Sequence, residues 1–260
     1  MTGPIHTVRQ GAVLEVTIDR PKANAIDAAT SRILGEIFAG FRDDPALRVA
    51  ILTAAGEKFF CPGWDLKAAA NGEAPDSDYG VGGFGGLQEL PGLDKPVICA
   101  VNGLAFGGGL EIMISCDIIL AAEHATFALP EIQSGTLADA ATIKLPRRMP
   151  YHVATELLFT GRRFDAAEAK HWGLVNEILP AAQLMDRARE LAQRLAAGPP
   201  LVFAAIKETL RETAHLPVQQ AFDLVTKRRL KTVDRLYSSE DQREGARAFA
   251  EKRAPVWKGC

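Results

Sequence analysis

The stretch Val97-Ile98-Cys99-Ala100-Val101, followed by Asn102-Gly103-Leu104-Ala105-Phe106-Gly107-Gly108-Gly109-Leu110-Glu111-Ile112 and then Ile118-Ile119-Leu120-Ala121, decides the fold class. Two short apolar runs flank a glycine-led apolar segment, the pattern of buried strands joined through a helix. Strands interleaved with helices make an α/β protein. Working outward, Val49-Ala50-Ile51-Leu52-Thr53 reads as another buried strand. Upstream, Val8 to Ile18 alternates around a Gln10-Gly11 turn and predicts a hairpin that ends at Arg20-Pro21. Between them Asp27 is a plausible N-cap for a helix on which Ile33, Leu34, Ile37, Phe38 and Phe41 recur at helical spacing, and Asp43-Asp44-Pro45 stops it.

From Tyr151 the pattern turns helical. An Asp-x-x-Glu box opens a helix over Asp165 to His171, others cover Leu184 to Ala196 and Val218 to about Leu236, and Val175 to Ile178 is a short strand. Residues 1–150 therefore read as an α/β core and 151–260 as a mainly helical region, joined at Pro146 to Pro150 without a flexible linker. Asn71 to Gly86 holds seven glycines or prolines, which predicts a surface loop with few backbone constraints.

The 260 residues are 47% hydrophobic and 24% charged, enough apolar material for a sizeable core, which excludes a disordered or collagen-like chain. Thirty basic against 32 acidic side chains give a formal charge of -2, so no whole-chain field draws in nucleic acid or an anionic membrane. The four cysteines, Cys61, Cys99, Cys116 and Cys260, form no Cys-x-x-Cys pair and stand beside no histidine at zinc-ligand spacing, so neither a disulfide scaffold nor a metal site is expected. Met-Thr-Gly-Pro-Ile-His lacks the basic flank and apolar run of a signal peptide, and no stretch reaches the ~18 apolar residues of a membrane span. The expectation is a cytoplasmic protein.

Gly107-Gly108-Gly109 would aim backbone N–H groups at whatever occupies its turn, which suits an anion or a developing oxyanion. It lacks the Lys-Ser/Thr of a Walker loop, and Ile112 stands where a dinucleotide fingerprint needs its third glycine. Taken alone, the triplet equally well serves tight helix–sheet packing. Glu111 lies among Leu110, Ile112, Met113 and Ile114, and a carboxylate in such company needs a reason to be there. Glu131 follows Phe127-Ala128-Leu129-Pro130, where an apolar segment ends. Two carboxylates around one cavity can divide acid and base roles, because proximity drives their pKa values apart. Each could also be a helix-terminal or solvated charge, and spacing leaves open whether they meet. Lys58 to Lys67 passes through Pro62-Gly63-Trp64-Asp65 and could present a second N–H beside the glycine turn, as an oxyanion hole requires. Core packing for Trp64 and a helix-terminal charge for Asp65 are the plainer alternatives.

Together and in this order, these segments resemble the crotonase (enoyl-CoA hydratase/isomerase) superfamily. The resemblance runs from Arg20-Pro21-Lys22-Ala23-Asn24-Ala25 through Gly63 to Lys67, Asn102 to Glu111, Cys116-Asp117, Phe127 to Glu131 and Thr160-Gly161-Arg162 to Gly173-Leu174-Val175-Asn176. It implies a spiral of ββα units, a C-terminal helical region used in assembly, and homotrimers paired into homohexamers. It further implies that the Trp64 and Gly108 amides bind the thioester oxygen of an acyl-CoA while Glu111 and Glu131 face its C2–C3 bond. Lys22, Ala23, Ala25, Asp65, Leu66 and Lys67 would line the CoA passage. Coenzyme A enters as part of the substrate and no cofactor is called for, because the thioester itself stabilises an enolate. Arg20 to Thr30, Phe59 to Gly80 and Phe249 to Gly259 are similar to a branch whose acyl chain carries a trimethylammonium group. Aromatic faces attract such a cation, and Trp64, Tyr79, Phe84 and Phe106 are the candidates.

One segment departs from that pattern. Where the superfamily has Gly-x-x-Pro-x-x-Gly-Gly, this chain reads Gly135-Thr136-Leu137-Ala138-Asp139-Ala140-Ala141-Thr142, one residue shorter and without the glycine pair. Loss of easy access to positive φ predicts a different backbone path there. Rival readings are a hydratase or isomerase for another enoyl-CoA, and a CoA-binding homologue whose turn holds no water.

Overall fold

The computed structural model describes residues 3–260; Met1 and Thr2, where the segment read above as lacking a leader begins, lie outside the described residues. The chain starts with the hairpin β1 (Ile5–Gln10) and β2 (Val13–Ile18), then α1 (Ala28–Asp43), whose N-cap Asp27 accepts from the Thr30 N–H. Next come β3 (Val49–Ala54), β4 (Phe59–Cys61), α2 (Leu66–Ala70), β5 (Val97–Val101), β6 (Leu104–Phe106) and α3 (Gly108–Met113). They are followed by β7 (Ile118–Ala122), β8 (Thr126–Ala128), α4 (Glu131–Ser134), α5 (Asp139–Lys144) and α6 (Tyr151–Thr160). The remainder is β9 (Phe164–Asp165), α7 (Ala166–His171), β10 (Glu177–Leu179), α8 (Ala181–Ala196), α9 (Pro200–Thr213), α10 (Val218–Thr226), α11 (Lys231–Tyr237) and α12 (Glu240–Ala250).

Strands alternate between two sheets as the chain advances. One sheet has the order β1-β2-β3-β5-β7-β10, parallel except for the first hairpin, and the other has the order β4-β6-β8-β9. Each turn of the spiral is thus a strand in the large sheet, a strand in the small one and a helix: β3-β4-α2, β5-β6-α3, β7-β8-α4. Within the small sheet β4, β6 and β8 are parallel neighbours, so their carboxyl ends open on one edge. Ligands of parallel sheets gather at such edges.

The central strands are apolar on both faces because both faces are covered. Val49, Ile51, Ile98, Ala100, Leu120 and Ala122 pack beneath α8 through Leu184, Ala188 and Ala192. The alternating set, including Ala50, Leu52, Cys99 and Val101, joins the main core with Leu34, Phe38 and Phe41 of α1 and Leu110 and Ile112 of α3. Past residue 150, β9 and β10 add one strand to each sheet, while α9 and α11 close a small cluster around Ala205, Leu230 and Val233. Among the described residues no helix is long and apolar enough to cross a membrane.

Two expectations need correction. The helix predicted over Val218 to Leu236 is two helices, because Arg228 takes φ 50°, which a right-handed helix cannot continue, and the chain then turns to bury Leu230. The segment 71–86 is exposed only in its first part; Gly82, Gly83, Gly85 and Gly86 are buried, and the Gly85 N–H donates to Ser31 Oγ of α1 at 3.1 Å. The loop is therefore clamped to a helix at one end.

Gly109 decides how closely α3 can approach β4. A β-carbon there would collide with the Cys61 carbonyl, a strand backbone atom that cannot swing aside. Gly109→Ala is expected to destabilise the protein by about 3 kcal/mol, at the upper end of overpacking penalties. The check is a lowered urea midpoint with an unchanged m-value.

Candidate active site

The three strand ends of the small sheet supply the site. After β4 the chain runs Pro62-Gly63-Trp64, after β6 Gly107-Gly108, and after β8 Leu129-Pro130-Glu131. Trp64 lies in a bridge with Ile26, in which the Ile26 N–H donates to the Gly63 oxygen at 2.9 Å and the Asp65 N–H to the Ile26 oxygen at 2.8 Å. That ladder uses residues 63 and 65, so the N–H of Trp64 points the other way. Gly63, at φ 95°, brings the chain so near Gly108 that a β-carbon on it would lie 2.9 Å from the Gly108 nitrogen. Gly108 opens α3 and has no preceding helical turn to bond to. The structure therefore sets two backbone N–H groups close together, neither with a protein acceptor among the described residues.

Glu111 sits one turn into α3, only 5% exposed. Its Oε1 accepts the Ala141 N–H at 2.8 Å and its Oε2 lies 3.4 Å from the Gln88 side-chain amide. Burial pushes its carboxyl up to about 7; the Glu131 and Asp139 charges add to the rise, and the Ala141 and Gln88 donors oppose it. Glu131 opens α4. Its Oε1 lies against Gly107, and its Oε2 is buried without a hydrogen-bond partner. Burial raises its carboxyl as well, with Asp139 adding to the effect. Burial is the first cause of both rises, and the Glu131 charge adds to that of Glu111.

A cavity of about 540 Å³ separates and joins these groups. Trp64, Gly108, Glu111 and Glu131 all line it, together with Tyr79 and Phe84, whose rings meet edge to face at 5.3 Å. Five carboxylates line it, those of Asp76, Glu89, Glu111, Glu131 and Asp139, and no lysine, arginine or histidine does. Cys61, just behind the wall, is no nucleophile, since burial pushes its thiol up to about 12.

Of the residues expected to line a CoA passage, Leu66 borders the cavity and is 71% exposed. Lys22 and Lys67 are exposed, Ala23 and Ala25 are half-buried, and none of these four lines the cavity. Asp65 is held back by Arg20 rather than facing the cavity. Phe106 does not line it either; its ring lies under the Arg163 guanidinium, 5.0 Å from the centroid. In the unusual segment after Gly135, Ala138, at φ -79°, leads into α5, and this helix delivers the Ala141 N–H to Glu111.

Several contributors were given no role from the sequence. Glu73 accepts the Trp64 indole N–H at 2.7 Å and the Ala28 N–H at 3.1 Å, pinning the loop and the ring together. Arg20 donates to Asp65 at 2.6 Å, to Asp27 at 2.5 Å and to the Ala25 oxygen at 2.7 Å, tying the segments on either side of the Ile26 bridge. Gln88, Ala141 and Asp139 acquire a role only through where the chain places them.

The sequence pattern of the enoyl-CoA hydratase/isomerase family matches residues 8–260. Carnitinyl-CoA dehydratase of Proteus mirabilis (strain HI4320) is 54% identical over 260 residues, covering 100% of both chains, and that of Escherichia coli (strain K12) is 55% identical over the same full length. Among solved structures, enoyl-CoA hydratase from Mycobacterium tuberculosis H37Rv superposes with a TM-score of 0.89 at 36% identity over 99% of each chain. Enoyl-CoA hydratase from Bacillus anthracis gives 0.89 at 32% identity, over 99% of this chain and 100% of that one.

The Arg20 cluster makes a testable contribution. Burial opposes ionisation of Asp65 and Asp27, but Arg20 with the Lys67 N–H at Asp65, and Thr30 followed by Arg20 at Asp27, outweigh it and hold both carboxyls below the usual range. Groups lowered in this way stabilise the fold fully above the ordinary aspartate value of 3.8 and lose that contribution as the pH falls through their lowered values. Arg20→Met leaves two partly buried carboxylates unpaired and is expected to cost about 1–3 kcal/mol near neutral pH, less in acid. Urea titrations at the two pH values check this.

Proposed function

The chain belongs to the enoyl-CoA hydratase/isomerase family, and from that membership we propose a hydro-lyase that adds or removes water across C2–C3 of an acyl-CoA thioester, acting between carnitinyl-CoA and crotonobetainyl-CoA. The observation that carries the choice of acyl group is the lining of the cavity, with five carboxylates, three aromatic rings and no basic side chain. Once its carboxylate is esterified to CoA, the carnitinyl group carries a quaternary ammonium and no compensating charge. Carboxylates at the rim attract that cation, and the faces of Trp64, Tyr79 and Phe84 contribute roughly 0.5–2 kcal/mol each where they contact it.

In the dehydration direction Glu131 takes the proton from C2. The electron pair passes into the thioester, whose oxygen gains negative charge and is received by the Trp64 and Gly108 amides. The C3–O bond then breaks, and Glu111 gives its proton to the departing hydroxyl, so water leaves. Hydration reverses each step: Glu111 takes a proton from the water attacking C3 and Glu131 returns one to C2. Burial, which pushes the Glu111 carboxyl up to about 7, favours its protonated form, the form in which it starts dehydration. Each well-placed amide supplies a factor of ~10² to 10³, and acid–base transfer ~10² to 10⁴.

Coenzyme A enters with the substrate, past Lys22, Ala23, Ala25 and the Asp65 to Lys67 stretch, and no further cofactor is needed for this chemistry. The protein works in the cytoplasm, a setting in keeping with three buried free thiols, Cys61, Cys99 and Cys116. It assembles as a homotrimer or homohexamer through the region after residue 151. Exposed Leu210, Val218, Phe222 and Phe249 there support that reading, and light scattering at one or two times the mass of three 28.0 kDa chains is the expected result, a monomer the contrary one.

The enzymatic test follows the conjugated-thioester absorbance with crotonobetainyl-CoA and crotonyl-CoA. Glu111→Gln and Glu131→Gln are each expected to lower kcat by ~10² to 10⁴. Turnover of crotonyl-CoA alone would point to another acyl group, and binding without turnover to a scaffold. Asp139→Asn is expected to raise KM for crotonobetainyl-CoA by roughly threefold to tenfold at low salt, with a smaller change for crotonyl-CoA. Equal changes for both substrates would remove the electrostatic account.

A further inference from the structure

The wall behind Glu111 converges on one lysine. Lys144 closes α5, and its ammonium donates to Ser115 Oγ at 2.7 Å and to the Gln88 carbonyl at 2.8 Å. Ser115 Oγ in turn donates to the Glu111 carbonyl at 2.8 Å. The Gln88 side chain faces Glu111 Oε2, and Ala141, one turn before Lys144, donates to Glu111 Oε1. So the backbone carbonyl and both carboxylate oxygens of Glu111 are met by groups that Lys144 ties together. Both acceptors of the Lys144 ammonium are neutral oxygens, although a lysine drawn out of water ordinarily pairs with a carboxylate.

We propose that Lys144 is a positioning residue for Glu111, holding α5, Gln88 and the Ser115 end of α3 so that the carboxyl keeps the geometry needed for proton exchange with the C3 oxygen. This rests on the reading of Glu111 as the group that performs that exchange. Loss of ~1 Å in such alignment costs as much as ~10²-fold in rate, so a device that fixes the wall has a measurable effect. Charge acts in the same direction. Around Glu111 stand the Glu131 and Asp139 carboxylates, the Ala141 and Gln88 donors, and the Lys144 ammonium. Around Lys144 stand Arg148, Cys116, Glu111 and Glu89; burial, with Arg148 next, brings the amine down to about 8. Removing the ammonium removes a positive charge that favours the ionised form of Glu111, so the Glu111 pKa moves up.

The test measures kcat, KM and their pH profiles in the dehydration direction, with carnitinyl-CoA, for Lys144→Met, Lys144→Arg and Ser115→Ala, with thermal unfolding alongside. Lys144→Met is expected to lower kcat about tenfold, to leave KM within about twofold, and to move the upper limb of the kcat profile to higher pH by roughly half a unit. Lys144→Arg should bring that limb back. Ser115→Ala keeps the charge and should lower kcat about threefold with the limb in place. A folded Lys144→Met enzyme with wild-type kcat and an unmoved limb overturns the proposal, as does a lower melting temperature with an unmoved limb. If Lys144→Met does not fold, an unchanged kcat in Ser115→Ala overturns it. Full activity in Glu111→Gln would instead remove the underlying reading of Glu111, a result separable from all of these.

Discussion

The backbone at Gly63 passes the Gly108 amide so closely that a side chain would not fit between them. Most of the proposed chemistry depends on that approach. It requires β4 and β6 to be parallel neighbours, it requires the Ile26 bridge to hold the next peptide with its N–H turned outward, and it places α3 so that Glu111 rises one turn above the paired amides. The spiral alternation between two sheets makes the approach possible, because consecutive turns deliver their small-sheet strands side by side.

A second constraint is electrostatic. Glu111 is buried and Glu131 has an unpartnered buried oxygen, while three further carboxylates line the same space. Burying Glu111 and Glu131 is costly while they are charged, and the carboxylate-lined cavity favours a bound cation or retained protons there. The protein offsets part of the cost with backbone donors rather than with cations. Ala141 of α5 fills that role, and α5 occupies the segment where the family's glycine pair would otherwise stand. Positive charge is kept outside the wall, as at Lys144, or in the Arg20 cluster that braces the Trp64 side through Asp65.

Much of the fold was legible from local pattern. The first hairpin, α1 with its Asp27 cap, the buried runs of β3, β5 and β7, and the helix after Asp165 stand where alternation, helical spacing and capping placed them. The small-sheet strands carry only three residues or fewer, below the length at which periodicity speaks, so the second sheet was invisible without the family resemblance. The Val218 to Leu236 helix failed because apolar spacing does not report a single residue at positive φ.

The candidate site divides along the same line. Local chemistry alone marked Glu111, Glu131 and the Gly107 to Gly109 turn, since a carboxylate among apolar residues and a glycine run before a helix are unusual wherever they occur. The tertiary structure decided that they share one cavity, that Phe106 turns to Arg163 while Tyr79 and Phe84 turn inward, and that Glu73, Gln88, Ala141 and Arg20 support the arrangement. The reason is physical: residue type and spacing encode what a short segment buries and how it turns. Which distant segments then meet depends on sheet order and close packing, which are properties of the whole chain.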